Sequence, residues 1–192
     1  MINPDKFFPA IRASLFNGDL ADGQFSGMKA TLAAFDKWAS SVDLRYICYA
    51  LATQYHETAA TMQPIEEYGH GRGRAYGVPA GPWHVVYDGR GDVQLTWEAN
   101  YKHATDRLRA LNIITADVDL EKNPELAMQP DIAAAIMIFG MIEGWFTGKK
   151  LSDYFSATAD DASNARRIIN GTDCAEKIAD YYDHFVDAVQ AP

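Results

Sequence analysis

Residues 56–101, His56 through Tyr101, read HETAATMQPIEEYGHGRGRAYGVPAGPWHVVYDGRGDVQLTWEANY. A carboxylate, Glu57, closes an apolar-striped segment, and two more, Glu66 and Glu67, follow Pro64. The glycines from Gly69 to Gly81 disfavour regular helix and permit tight turns. Trp83–Tyr87 and Asp92–Leu95 read as two short strands about Asp88-Gly89, a hairpin signal. Most of the distinctive polar chemistry of the chain lies here.

Outward from this stretch the pattern is helical on both sides. Upstream, Asn3-Pro4 reads as an N-cap with proline at the first helical position, and Phe7, Phe8, Ile11 and Leu15 recur at helical spacing until Asn17-Gly18. A second helix starts near Asp22 and buries Phe25, Met28, Leu32, Phe35 and Trp38. A third, capped by Ser40, Ser41 or Asp43, carries Leu44, Ile47, Cys48, Leu51 and Tyr55 and runs to about Thr58. Its periodicity sets Glu57 beside the buried stripe, roughly in phase with Tyr46, Ala50 and Thr53. Downstream, a helix is expected from about Glu98 to Leu111, and a short helical turn at Asn123-Pro124. An apolar helix capped by Asp131 should run from Ile132 to about Trp145, closed by Gly148. Ser163 should cap a short segment ending at Asn170-Gly171, most simply a helix C-cap. An amphipathic last helix carries Ile178, Tyr181, Tyr182, Phe185 and Val189.

The expectation is one mainly α (α+β) domain over 1–192, with a small β or loop lobe at about 62–97. A net charge of −9 argues against a protein that grips nucleic acid through its phosphates. No apolar run reaches the roughly 18–20 residues a membrane span needs, so no stable membrane insertion is expected. The first residues, Met1 to Lys6, lack a basic region followed by an apolar one, and no cleavable secretory signal is expected. Cys48 and Cys174 form no CxxC pair, and both fall in helical patterns, which reads as two buried thiols.

His56-Glu57 begins like a zinc-protease helix, but Ala60 stands where the second histidine of HExxH is needed. His70, His84, His103 and His184 show no ligand spacing, so neither metal nor cofactor is expected. Paired carboxylates fit better. Glycoside cleavage needs one protonated acid for the leaving oxygen and a second carboxylate as base or nucleophile. Glu57, beside an apolar helix face, suits the acid, and Glu67, past the proline, could stand across a cleft from it. Equally, three glutamates in so short a stretch fit a charged surface. Strand alternation would put Asp92, Gln94 and Thr96 on one polar face, suited to sugar hydroxyls and amides or simply to solvent. Arg72, Arg74 and His70 form a positive patch that fits the partner of Glu66 and Glu67 better than a substrate site.

These residues carry a resemblance. His56-Glu57-Thr58, then Gly89-Arg90-Gly91-Asp92-Val93-Gln94-Leu95-Thr96 and Asn100-Tyr101, resemble glycoside hydrolase family 19, which contains plant chitinases and phage lysins. Ile169-Asn170-Gly171 and Lys177-Ile178-Ala179-Asp180-Tyr181-Tyr182 are similar to its closing motif. Ser14-Leu15-Phe16-Asn17-Gly18, Leu51-Ala52-Thr53 and Thr61-Met62-Gln63-Pro64-Ile65, leading to Glu67-Tyr68-Gly69, are more similar to the lysin branch. Asp92 departs from the pattern, standing where many relatives have an apolar, aromatic or proline residue.

The resemblance implies a lysozyme-like, two-lobed helical domain with a small β-hairpin or sheet beside the cleft. It implies Glu57 as general acid, Glu67 as second carboxylate with Glu66 as the alternative, and Thr96 as holder of the attacking water. Substrate contacts are expected from Gln94, Asn100 and Asn170, and from His56, Tyr68, Arg90 and Lys177 in the same motifs. Family chitinases invert configuration, which needs a carboxylate gap of roughly 6.5–9.5 Å with room for a water. The function implied is a phage or prophage endolysin, an N-acetylmuramidase acting on peptidoglycan glycan strands. A chitinase is the runner-up, and a non-catalytic glycan-binding or structural virion protein the rival of another class. A monomer is expected, made in the host bacterial cytoplasm and reaching the periplasm and cell wall through a holin-like permeabilising partner.

Overall fold

The computed structural model describes residues 2–191. Met1, part of the reading on secretion, and Pro192, at the outer bound of the expected domain, lie outside the described residues. Seven α-helices stand among the described residues: α1 (Pro4–Ser14), α2 (Asp22–Trp38), α3 (Leu44–Glu57), α4 (Glu98–Ala110), α5 (Pro130–Glu143), α6 (Ala162–Ala165) and α7 (Ala175–Val189). Four short 3-10 helices and two short antiparallel strand pairs accompany them among the described residues. β1 (Ile65–Glu66) pairs with β2 (Arg90–Gly91), and β3 (Phe155–Ser156) with β4 (Ala159–Asp160). The mainly helical expectation holds, with little sheet.

The caps explain the starts. The Asn3 side chain accepts from the Asp5 N–H, with Pro4 in the first turn, where its missing N–H is not needed. Asp43 accepts from the Arg45 N–H at the head of α3. α5 is apolar on every side, as a helix must be if other elements surround it. Ile132, Ala134, Ala135, Ile136, Met137 and Met141 are all buried, with α2, α3 and α4 against it. α7 closes the core from the other side, lying on α1, α3 and α6. α2 approaches the segment after α3 backbone to backbone: a Cβ at Gly27 would lie 1.6 Å from the Met62 carbonyl oxygen.

Four local expectations are corrected. α5 begins two residues earlier, with Gln129 at the cap and Pro130 in the first turn, and Gly144 in the left-handed conformation ends it before Gly148. α6 is capped by Asp161, whose carboxylate accepts from the Asn164 N–H; Ser163 lies inside it. Cys174 is exposed and left-handed at the head of α7, while Cys48 is buried, its thiol pushed up to about 12 by burial. Finally, no hairpin forms around Asp88-Gly89. The chain reverses instead at Asp92-Val93-Gln94, between the mutual bonds of Arg90 and Leu95 at 3.1 and 2.8 Å. Gly91 and Gln94 supply the positive φ values, +85° and +54°, that so tight a reversal needs.

Candidate active site

α3 delivers Glu57 at its last residue, and the way the helix stops fixes where that carboxylate points. Ala59, Ala60 and Met62 all have positive φ, a conformation that costs non-glycine residues energy unless the surroundings impose it. They do so here. Thr58 Oγ1 donates to the Gln54 carbonyl and accepts from the Met62 N–H, the Ala60 N–H donates to the Tyr55 carbonyl, and Gln24 reaches over from α2 to the Ala60 carbonyl.

Glu57 faces a hollow of about 480 Å³ between the helical body and the 92–97 segment. Val93, Gln94, Leu95, Thr96 and Trp97 form one wall, and Asn100 opens α4 beside them. Phe146, Arg166, Ile169 and Asn170 close it from the later half of the chain, and Tyr76 caps the rim. Arg166 Nη1 lies 2.5 Å from Glu57 Oε1, and its Nε donates to the Asp173 carbonyl at 3.0 Å. That side chain is only 5 % exposed, so its planar guanidinium orients Glu57 from a fixed position. Sequence reading did not find Arg166, because it lies 109 residues from Glu57 and its local sequence carries no motif.

The 92–97 wall is braced from within. Gln94 Nε2 donates to the Ile65 carbonyl at 3.0 Å, tying the wall to β1. Its Oε1 sits so close to Gly89 that a Cβ there would come within 2.8 Å. Thr96 Oγ1 donates to the Gln94 carbonyl at 2.7 Å, and Asn100 Nδ2 to the Thr96 carbonyl at 2.8 Å. With its single proton so placed, the Thr96 hydroxyl presents lone pairs to a water or a sugar hydroxyl. Asp92 does not share this face. It turns inward to 1 % exposure, against Gln54 of α3, and burial pushes its carboxyl up to about 7. The shared polar strand face is therefore corrected to a tight turn with Gln94 and Thr96 outside and Asp92 inside.

The two adjacent glutamates part company. The Glu67 N–H donates to the Gly89 carbonyl at 2.8 Å, and the Gly89 N–H returns to Glu67 Oε2 at 3.4 Å. The Tyr76 hydroxyl donates to Glu67 Oε1 at 3.1 Å, so Glu67 meets the cleft rim through that phenol. The Tyr76 ring stands edge-on to Trp97, 5.4 Å between centroids. Glu66 instead lies 2.7 Å from Arg90 Nη2, in a cluster where Arg90 also meets Asp88 at 2.7 Å and Glu125 at 3.1 Å. Glu66, His70 and Asp88 bring three ligand-type atoms within 4.8 Å of one another, but the Arg90 guanidinium is the cation already among them.

Arg90 is thus a buried organiser of the small lobe, a correction to its expected place among substrate contacts. Lys177 is corrected likewise. It lies over the Tyr181 ring and lines a hollow with Cys174 and Glu176, not the one that Glu57 faces. Tyr68 points outward at 91 % exposure, and half-buried His56, held below its usual pKa by burial, is not among the cleft-lining residues. Glu57, Gln94, Thr96, Asn100 and Asn170 do meet in one cleft.

No protein-family model matches the chain, and no curated protein does. Solved structures do. Chitinase C from Streptomyces griseus HUT6037 superposes over 99 % of this chain and 77 % of its own, with a TM-score of 0.64 and 21 % identity. A bacterial family 19 chitinase covers all of this chain (100 %) and 96 % of its own at TM-score 0.57 and 23 % identity. A family GH19 class IV chitinase from Zea mays covers 98 % and 92 % at TM-score 0.61 and 17 % identity. The chain has the fold of these family 19 chitinases. No helix among the described residues is long and apolar enough to cross a membrane.

Proposed function

We propose that the chain is a glycoside hydrolase that cuts β-1,4 bonds between N-acetylated amino sugars. Its substrate in this reading is the glycan strand of bacterial peptidoglycan, cut on the muramic acid side as an N-acetylmuramidase. The observation that carries the proposal is Glu57, held by Arg166 in a cleft whose facing wall is the Gln94–Thr96–Asn100 amide and hydroxyl row. Such a wall suits hydroxyls and acetamido groups, and an oriented acid beside it suits protonation of a glycosidic oxygen. Glu57 gives its proton to the leaving oxygen as positive charge builds on the sugar ring. Glu67, steadied by Tyr76 and Gly89, serves as the second carboxylate, and Thr96 holds the water. The motifs shared with phage lysins support an endolysin, released to the wall through a separate permeabilising protein. Lysis by the chain expressed alone in intact cells would contradict that route.

Chitinases among the structural neighbours support a second reading, the same chemistry on N-acetylglucosamine polymers. One digestion separates the two. Purified peptidoglycan and chitin are each treated with the protein, and the products are reduced with borohydride and weighed by mass spectrometry. Reduced muramic ends support the muramidase. Reduced glucosamine ends from peptidoglycan move the cut by one sugar, and products from chitin alone favour the chitinase. A folded sample that binds glycan and cuts neither substrate supports the non-catalytic rival.

A further inference from the structure

Past Asn100 the cleft does not end. A second hollow of about 440 Å³ adjoins the first, and Asn100 lines both. Its far side is the turn after α5, where two consecutive aromatic residues serve different hollows: Phe146 lines the first and Trp145 the second. The turn is set by Gly144 at φ +81° and by the Phe146 ring folded back on α5, where a Cβ at Gly140 would lie 2.2 Å from Cζ.

The indole is held in place. Trp145 Nε1 donates to Glu143 Oε2 at 2.8 Å, and Arg107 grips Glu143 with two bonds of 3.0 and 2.8 Å. His103 stands edge-on to the indole at 5.3 Å. None of these side chains has a part in the proposed hydrolysis. A half-buried indole fixed by its own N–H, with an amide, an imidazole and a carboxylate around it, is built for a ligand with one apolar face and a polar rim. A pyranose ring is such a ligand. The Arg107 guanidinium already answers the Glu143 charge, so a neutral sugar fits better than a charged one.

We infer that this second hollow is a distal sugar site, which seats an N-acetylhexosamine unit of the same β-1,4 glycan strand after it leaves the cleft along Asn100. The inference rests on the glycan reading of the first cleft. The indole lies under the C–H face of the sugar, and Asn100, His103 and Glu143 meet its hydroxyl and acetamido groups.

The test is a titration of the full-length Glu57→Gln variant with the disaccharide and the hexasaccharide of β-1,4-linked N-acetylglucosamine, read by NMR at the tryptophan indole N–H signals. Trp97 reports the first cleft and Trp145 the second. The hexasaccharide should move both signals and the disaccharide only that of Trp97. The hexasaccharide should also bind roughly tenfold more tightly than in a Trp145→Ala variant, in which its advantage over the disaccharide is lost. Trp145→Phe, which keeps a ring, covers the case in which the alanine variant does not fold. Binding that shifts Trp97 and leaves Trp145 unmoved at both lengths overturns the distal site and spares the cleft. Binding of neither oligomer overturns both the reading of the first cleft as a site for N-acetylglucosamine chains and the distal site.

Discussion

Replacing Asp92 by asparagine should make the protein less sensitive to alkaline pH. The side chain is 1 % exposed, Oδ1 has no hydrogen-bond partner among the described residues, and its neighbour is the neutral amide of Gln54. Burial without an opposing charge favours the protonated acid, raising it from 3.8 to about 7. The folded chain then binds this proton more tightly than the unfolded chain does. The associated stability is complete below the unfolded value, declines as pH climbs between the two, and is gone above about 7. Between about pH 5 and about pH 8 the loss from this one group is about 2.5 kcal/mol, at 1.36 kcal/mol per pH unit across the part of the window still protonated. Asparagine has nearly the same shape, can still bond to Gln54 and cannot ionise. Urea unfolding at the two pH values, for wild type and Asp92→Asn, isolates the term as the difference of differences. The wild type should lose about 2.5 kcal/mol more than the variant. Parallel pH profiles for the two proteins would refute the reasoning. The 92–97 wall also faces the cleft, so the wild type should lose glycan binding over the same rise in pH, and the variant should not.

Glu57→Gln should cut glycan hydrolysis by about a thousandfold with an unchanged circular dichroism spectrum; full turnover in that variant would remove the acid from the mechanism. Glu67→Gln should lower kcat by about a hundredfold or more with a nearly unchanged melting temperature. Glu66→Gln, which takes a partner from buried Arg90, should instead cost about 1–3 kcal/mol in urea unfolding and leave kcat nearly intact; the reverse pattern would exchange their roles. Arg166→Lys should lower kcat more than it raises KM, because one ammonium cannot hold Glu57 and the Asp173 carbonyl at the same two angles. An unchanged kcat would mean that Glu57 needs no such positioning.

The elements that were legible in the sequence are those written in local rules. Asn3-Pro4 and Asp43 cap α1 and α3 through bonds to residues two positions away, and apolar spacing marks α2 and α7. Errors arose where several local signals competed. Gly144 and Gly148 both sit at φ +81°, and only the closeness of the 144–148 turn decides that α5 ends at the first. Asp88-Gly89 looks like a hairpin turn, but the Asp88 side chain belongs to a buried cluster with Arg90, and the reversal falls at 92–94. Alternation misled at Asp92 because a tight turn, unlike a strand, does not send alternate residues to one face. In the cleft, Glu57, Gln94, Thr96 and Asn100 were legible because they lie in one stretch. Arg166 and Phe146 were not, since each reaches the site only through long-range packing, and Tyr76, though inside the stretch, carries no motif that marks it.

Glu57 and the guanidinium that holds it are made far apart in time. Residue 57 leaves the ribosome 109 residues ahead of residue 166, and α7, which packs on both α1 and α3, follows later still. A nascent or broken chain that stops before this last part carries Glu57 without its guide and an open side to the cleft. In the proposed mechanism such a chain has its acid unaimed, so a proteolytic cut ahead of residue 166 that releases the last part should lower activity without touching Glu57.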